Sequence, residues 1–118
     1  MAIENAIASV PVRKLADAVA WYEKVLGRPA DSTPMPEVAE WKFSRGGWLQ
    51  VYEGPERAGT GALTLAVSSL DKQLAEFAKL GIPAGTPTVS DKVRVVMIRD
   101  PDGNSIAFAE ALDPSMAR

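Results

Sequence analysis

Twice along the chain, apolar residues return at every third or fourth position. Leu15, Ala18, Val19, Tyr22, Val25 and Leu26 form one series; Leu70, Leu74, Phe77 and Leu80 form the other. That spacing puts each series on one face of a helix. Gly27 and Gly81 suit the left-handed position just past each helix end, and Pro29 and Pro83, two residues later, stop each helix from continuing. Ser68 or Ser69 can cap the second helix.

Elsewhere the pattern alternates. In "AIASVPV", from Ala6, Ala8, Val10 and Val12 share one side, and Ile7, Ser9 and Pro11 share the other. In "ALTLAV", from Ala62, Leu63, Leu65 and Val67 oppose Ala62, Thr64 and Ala66. "AEWKFS" and "WLQVYE" follow the first helix; "KVRVVMIR" and "SIAFAE" follow the second. Short extended pieces near residues 30–33 and 84–89 complete each half. The expected order is strand, helix, strand, strand, strand, twice over, which is an α+β chain of two βαβββ modules. "DPDGN", from Asp100, reads as a turn: Pro101 presets its backbone and Gly103 accepts a positive φ.

The halves also match residue by residue. Leu15 pairs with Leu70, Val19 with Leu74, Tyr22 with Phe77, Leu26 with Leu80, Gly27 with Gly81 and Pro29 with Pro83. One domain is expected, with module one at about residues 3–54, a linker "GPERAGTG" at 54–61 and module two at about 62–112.

Composition narrows the chemistry. The chain has 118 residues, enough for one core, and 47% of them are hydrophobic. The net charge is −2 and the 13 basic residues are scattered, so neither nucleic acid nor a membrane surface is an expected partner. No apolar run is long enough to span a bilayer, and "MAIENAIASV" lacks the basic lead and apolar core of a signal peptide. There is no cysteine, hence no disulfide and no thiolate site. A cytoplasmic location is the expectation. There is also no histidine, which removes the commonest general base and metal ligand. A metal site here would have to be built from oxygen donors alone.

"AWYEKVLG" (from Ala20), the helix openings "VRKL" and "VSSL", and "DPDGNSIAFAE" together carry a resemblance. Over about residues 3–112 the chain resembles the vicinal oxygen chelate superfamily, which includes glyoxalase I, bleomycin resistance proteins and extradiol dioxygenases. The resemblance implies a U-shaped mixed sheet with helices on its convex side. It also implies four metal positions facing the concavity in metal-dependent members, two on the first strand of each module and two on the last. Carried over, these are Ile7, Gln50, Ala62 and Ala107. Three alkyl side chains and one neutral amide cannot offset the hydration a divalent ion loses. No metal and no cofactor are therefore expected, and metal-dependent glyoxalase or dioxygenase activity is disfavoured.

If Leu49 and Val51 face a helix, Trp48, Gln50 and Tyr52 face the concavity. Ser9 and Thr64 are expected opposite them, with Ala62, Ala66, Ala107 and Ala109 leaving room. Two aromatics and a few polar groups suit a small aromatic or drug-like ligand. Trp48 and Tyr52 have a second reading as cavity fillers or interface residues, and Gln50 as a satisfied polar group. Glu40 and Lys42 share one side of their strand, as an acid–base pair or as an exposed edge pair. Arg94 and Arg99 are either anion ligands or solvated surface.

Three functions follow from this. The first is a metal-independent small-molecule-binding protein, as bleomycin resistance proteins are. The second is an enzyme of the same superfamily, and the third a structural or regulatory protein with a closed cavity. A homodimer is expected, with halves pairing within a chain or across two.

Overall fold

In the computed structural model, residues 2–118 are described, and Met1 lies outside them. The backbone follows the repeat: β1 (Ile7–Val12), α1 (Leu15–Leu26), β2 (Ser32–Met35), β3 (Val38–Lys42) and β4 (Trp48–Glu53). Then come β5 (Ala62–Ala66), α2 (Leu70–Leu80), β6 (Thr88–Val89), β7 (Val93–Arg99) and β8 (Ser105–Ala111). Among the described residues the fold is α+β, with two helices and eight strands in two four-stranded mixed sheets.

The first compact unit holds the residues up to Gly61 together with Asp100–Asn104. Its sheet has the order β1-β4-β3-β2. β1 runs parallel to β4, whereas β3 is antiparallel to both β4 and β2. The alternation in the strands becomes a buried face: Val10, Val12, Trp41, Leu49 and Val51 are all fully buried. Leu15, Ala18, Tyr22 and Val25 are the buried residues of α1. Each large apolar side chain removed from water in this way contributes roughly 1.5–3 kcal/mol.

Pro11 departs from the alternation. It stands on the Ser9 side of β1 but is buried. Gly54 and Gly61 lie close to its ring, and the Asn104 side-chain amide donates to its carbonyl at 2.7 Å. Residues 54–61 are tied down as well. The Gly54 amide donates to the Val12 carbonyl, Arg57 to Gly54, Thr60 to Arg57, and Gly61 to Asn104 Oδ1. This segment is a series of hydrogen-bonded turns.

The second unit comprises Ala62–Arg99 and Ser105–Arg118. Its sheet repeats the first, in the order β5-β8-β7-β6, with β5 parallel to β8. Leu63, Leu70, Phe77, Val96, Ile98, Ile106 and Phe108 are buried. The rings of Phe77 and Phe108 meet edge to face with centroids 4.9 Å apart.

The helix ends follow their local chemistry. Gly27 and Gly81 take φ of +80° and +69°. The Ser69 side chain accepts from the Lys72 amide. At the start of α1 stands Lys14, which offers no side-chain cap. A carboxylate does this work instead: the Leu15 amide donates to Glu53 at 3.0 Å, and in the second unit the Leu70 amide donates to Glu110 at 2.7 Å. Glu53 and Glu110 stand at matching places in the two repeats. Each brings a negative charge to the positive end of its helix.

Candidate functional site

The face of the first sheet turned away from the buried side carries the candidate site. On β4, Leu49 and Val51 are buried, while Trp48, Gln50 and Tyr52 between and beside them are half-buried. The strand register then places other residues alongside. Ser9 on β1, Gln50 on β4, Glu40 on β3 and Ser32 on β2 are successive Cα partners, one from each strand. Cα partners share a face of the sheet, so these four side chains form a row across it.

The row is hydrogen-bonded from end to end. Ser9 Oγ donates to Gln50 Oε1 at 3.3 Å, and Gln50 Nε2 donates to Glu40 Oε2 at 2.9 Å. Ser32 Oγ donates to Glu40 Oε1 at 3.1 Å. The neighbouring rows are less polar. One side has Ile7, Trp48 and Lys42 in register, with Lys42 Nζ 5.7 Å from the centroid of the Trp48 ring. The other side has Pro11, Tyr52 and Val38. A line of hydrogen-bonding groups therefore runs between two rings.

Two expectations change here. Ser9 does not stand opposite Gln50. It sits beside it in the same sheet, because β1 pairs directly with β4. Glu40 and Lys42 are not an edge pair, since β3 lies between β4 and β2 and Glu40 is half-buried. Glu40 and Ser32 complete the row, and the alternation along β3 was the signal for Glu40. Thr64 belongs to the second unit, where it is exposed on β5 with Ala107 as its partner on β8 and Met97 beyond on β7. Ala62 and Ala66 lie on that same face and are exposed.

The four carried-over metal positions fall in two pairs, one on each sheet. Ile7 is 56% exposed, and Gln50 is engaged with Ser9 and Glu40. Ala62 and Ala107 share one face of the second sheet. Among the described residues no group of three or more His, Cys, Asp or Glu converges on a point. The side chains at these positions do not fit a divalent ion.

Other charged groups are committed elsewhere. Arg94 pairs with Asp71 at 3.1 Å and with Glu110 at 3.7 Å, near the start of α2. Asp31 is held below the usual carboxylate range, first by the Lys42 amide it accepts and then by Arg28. A cleft of about 270 Å³ lies by the start of α1, lined by Arg13, Lys14, Asp17 and the Asp100–Asp102 turn. Two of its carboxylates are occupied: Asp102 accepts from the Arg13 amide, and Asp100 from four donors. None of the cleft's lining residues belongs to the polar row.

Comparison with known proteins places this geometry in context. A family model described as "Glyoxalase/Bleomycin resistance protein/Dioxygenase superfamily" matches residues 5–108. A search of curated proteins finds no match. Among solved structures, a glyoxalase/bleomycin resistance protein from Catenulispora acidiphila DSM 44928 is 36% identical, with a TM-score of 0.82. That similarity covers 92% of this chain and 98% of the other. TnmS3, an antibiotic-binding protein from Streptomyces sp. CB03234, is 23% identical with a TM-score of 0.78, over 94% and 98% of the two chains. A bleomycin-binding protein complexed with bleomycin is 16% identical with a TM-score of 0.75, over 92% and 98%. These last two share the fold.

Proposed function

We propose a function from one premise: the chain belongs to the glyoxalase/bleomycin resistance protein/dioxygenase superfamily. Within it, the chain acts as a metal-independent small-molecule-binding protein. The antibiotic-binding and bleomycin-binding proteins that share its fold support binding of small molecules in general. The observation that carries the reading for this chain is the burial pattern of β4. Leu49 and Val51 are buried, and Trp48, Gln50 and Tyr52 present two rings and an amide on the opposite face.

The ligand is a planar aromatic or drug-like molecule laid on that face. Ring stacking gains about 0.5–1.5 kcal/mol beyond area burial. Ser9 and Gln50 orient its polar groups. The protein works as a cytoplasmic homodimer without bound nucleic acid. Exposed Ile7, Met35 and Met97 supply apolar surface for a partner copy or a ligand to cover. Sedimentation showing only monomer at micromolar concentration removes the dimer from this reading.

The test of the site is Trp48→Ala. A panel of planar aromatics and bleomycin is titrated while tryptophan fluorescence is followed. The expected result is quenching in the parent protein, several-fold weaker binding in the variant and an almost unchanged melting temperature. A melting temperature many degrees lower would mean that Trp48 packs in the core, and the reading would then be wrong.

A further inference from the structure

We infer that the ligand of this face carries a positive charge beside its planar ring, and that Glu40 is the anchor for that charge. The inference rests on the binding reading above and adds the chemical class of the ligand.

Glu40 stands on an inner strand and is half-buried. Its two oxygens each accept one hydrogen bond, from Gln50 Nε2 at 2.9 Å and Ser32 Oγ at 3.1 Å. Both donors are neutral. An ionised carboxylate has about four acceptor sites, so about half of its capacity is unused. Among the described residues, no lysine or arginine forms an ion pair with it. A carboxylate partly removed from water and held by neutral groups favours an incoming cation.

The basic residue on the same face does not meet this need. Lys42 lies two positions along β3, and its ammonium is placed over the Trp48 ring instead of against Glu40. The face of a tryptophan ring attracts a cation through its quadrupole. A ligand ammonium or amidinium group seated between Trp48 and Glu40 gains both attractions. Gln50 holds the carboxylate in place, because its amide is fixed at its other end by Ser9. Glu40 is in direct register with Gln50, and Trp48 stands two positions from Gln50 on β4, diagonal to Glu40, so their spacing is set by the hydrogen-bond ladder. An anionic ligand would meet the Glu40 charge, and a cationic one takes the place of Lys42 over the Trp48 ring.

The experiment uses three probes of one shape: 2-naphthylmethylammonium, 2-naphthylmethanol and 2-naphthoate, each titrated by calorimetry into the full chain. The expected order is ammonium tightest, alcohol weaker by about fivefold or more, and carboxylate weakest. Glu40→Gln keeps the size; its oxygen can still accept from Gln50, while its amide nitrogen donates to Ser32 Oγ, whose hydroxyl turns to accept. It should abolish the preference for the ammonium and weaken the alcohol far less than the ammonium. Trp48→Ala should weaken the ammonium and the alcohol alike. If Trp48→Ala weakens binding but Glu40→Gln leaves the ammonium preference intact, or if there is no preference, the face binds ligand and the charge assignment is overturned. If no probe binds, or if Trp48→Ala changes nothing, both readings fall. A melting curve on each variant shows whether the fold is retained.

Discussion

Tyr22 Oη donates a 2.8 Å hydrogen bond to Asp100 Oδ2, across 78 positions of sequence and inside the first compact unit. Tyr22 is 1% exposed and Asp100 4%. The Asp100 carboxylate accepts three more bonds, from the Asp102 and Asn104 amides and from Asn104 Nδ2. The "DPDGN" turn is thus fastened to the helix and first strand of the first repeat, although both flanking strands belong to the second. This gives the motif a structural reason to exist that owes nothing to metal.

Asp100→Ala leaves one phenol, one side-chain amide and two backbone amides without their acceptor. Unpaired buried donors are costly, and a loss of about 3 kcal/mol or more is expected. Asn104→Ala removes the bonds to Pro11 and Gly61 and should cost a comparable amount. Because the two residues share partners, the double variant should lose less than the sum. Urea denaturation of the four proteins measures this. Additive losses would mean that the two residues do not act as one network.

The phenol of Tyr22 is held far above its ordinary ionisation range, first by burial and then by the negative charge of Asp100. In the unfolded chain it ionises near its usual value of about 10. Below that pH both states keep the proton and the stability is fully present. Above it the unfolded state alone loses the proton, so stability falls as pH rises. Alkaline unfolding should therefore begin near pH ~10, with the tyrosinate absorbance of Tyr22 appearing together with loss of structure. Tyr22→Phe should have a lower starting stability and a flatter dependence above that pH. A tyrosinate signal from Tyr22 in the folded protein would contradict this.

Glu53 and Glu110 cap the two helices from the strands that follow them in each repeat. Glu53→Ala should cost about 1 kcal/mol, the usual worth of a lost N-terminal cap. Lys14 offers α1 no substitute. Glu110→Ala should cost at least as much, since Arg94 then loses a partner as well. Thermal melts of both variants test this, and an unchanged Glu53→Ala curve would mean that water caps α1 equally well.

Gly59 takes φ +90° and faces the Asp102 carbonyl so closely that a Cβ could not be accommodated without a shift. Gly59→Ala should lower stability by about 1 kcal/mol or more, from the backbone conformation and from displacement of the turn. Hydrogen exchange should then show faster loss of protection at Gly61 and Asn104 than in the parent. Uniform change across the chain would argue against a local effect.

The purified protein is expected to contain no stoichiometric divalent metal, because Ile7, Ala62 and Ala107 supply no donor atoms. Elemental analysis finding about one zinc, nickel, manganese or iron per chain, removable by chelation, would refute it.

What the sequence determined by itself was local. The 3.6-residue period of Leu15 to Leu26 and of Leu70 to Leu80, the glycines that follow, and the alternation of β1, β4 and β5 marked the elements and their buried sides. They did so because side-chain direction repeats with a period fixed by the backbone alone. The matched halves carried the βαβββ order, and the alternation in "WLQVYE" already grouped Trp48, Gln50 and Tyr52. Register was not legible in that way. Ser9, Gln50, Glu40 and Ser32 become one hydrogen-bonded row only when four strands pair with particular offsets, and a shift of one residue would send each to the other face. The four acceptor bonds of Asp100 and the bond from Asn104 to the Pro11 carbonyl were equally hidden, since they depend on a turn from one repeat packing on the other repeat's strand and helix. Periodicity is a property of neighbours in sequence; these contacts join residues tens of positions apart, and only the folded chain brings them within hydrogen-bond distance.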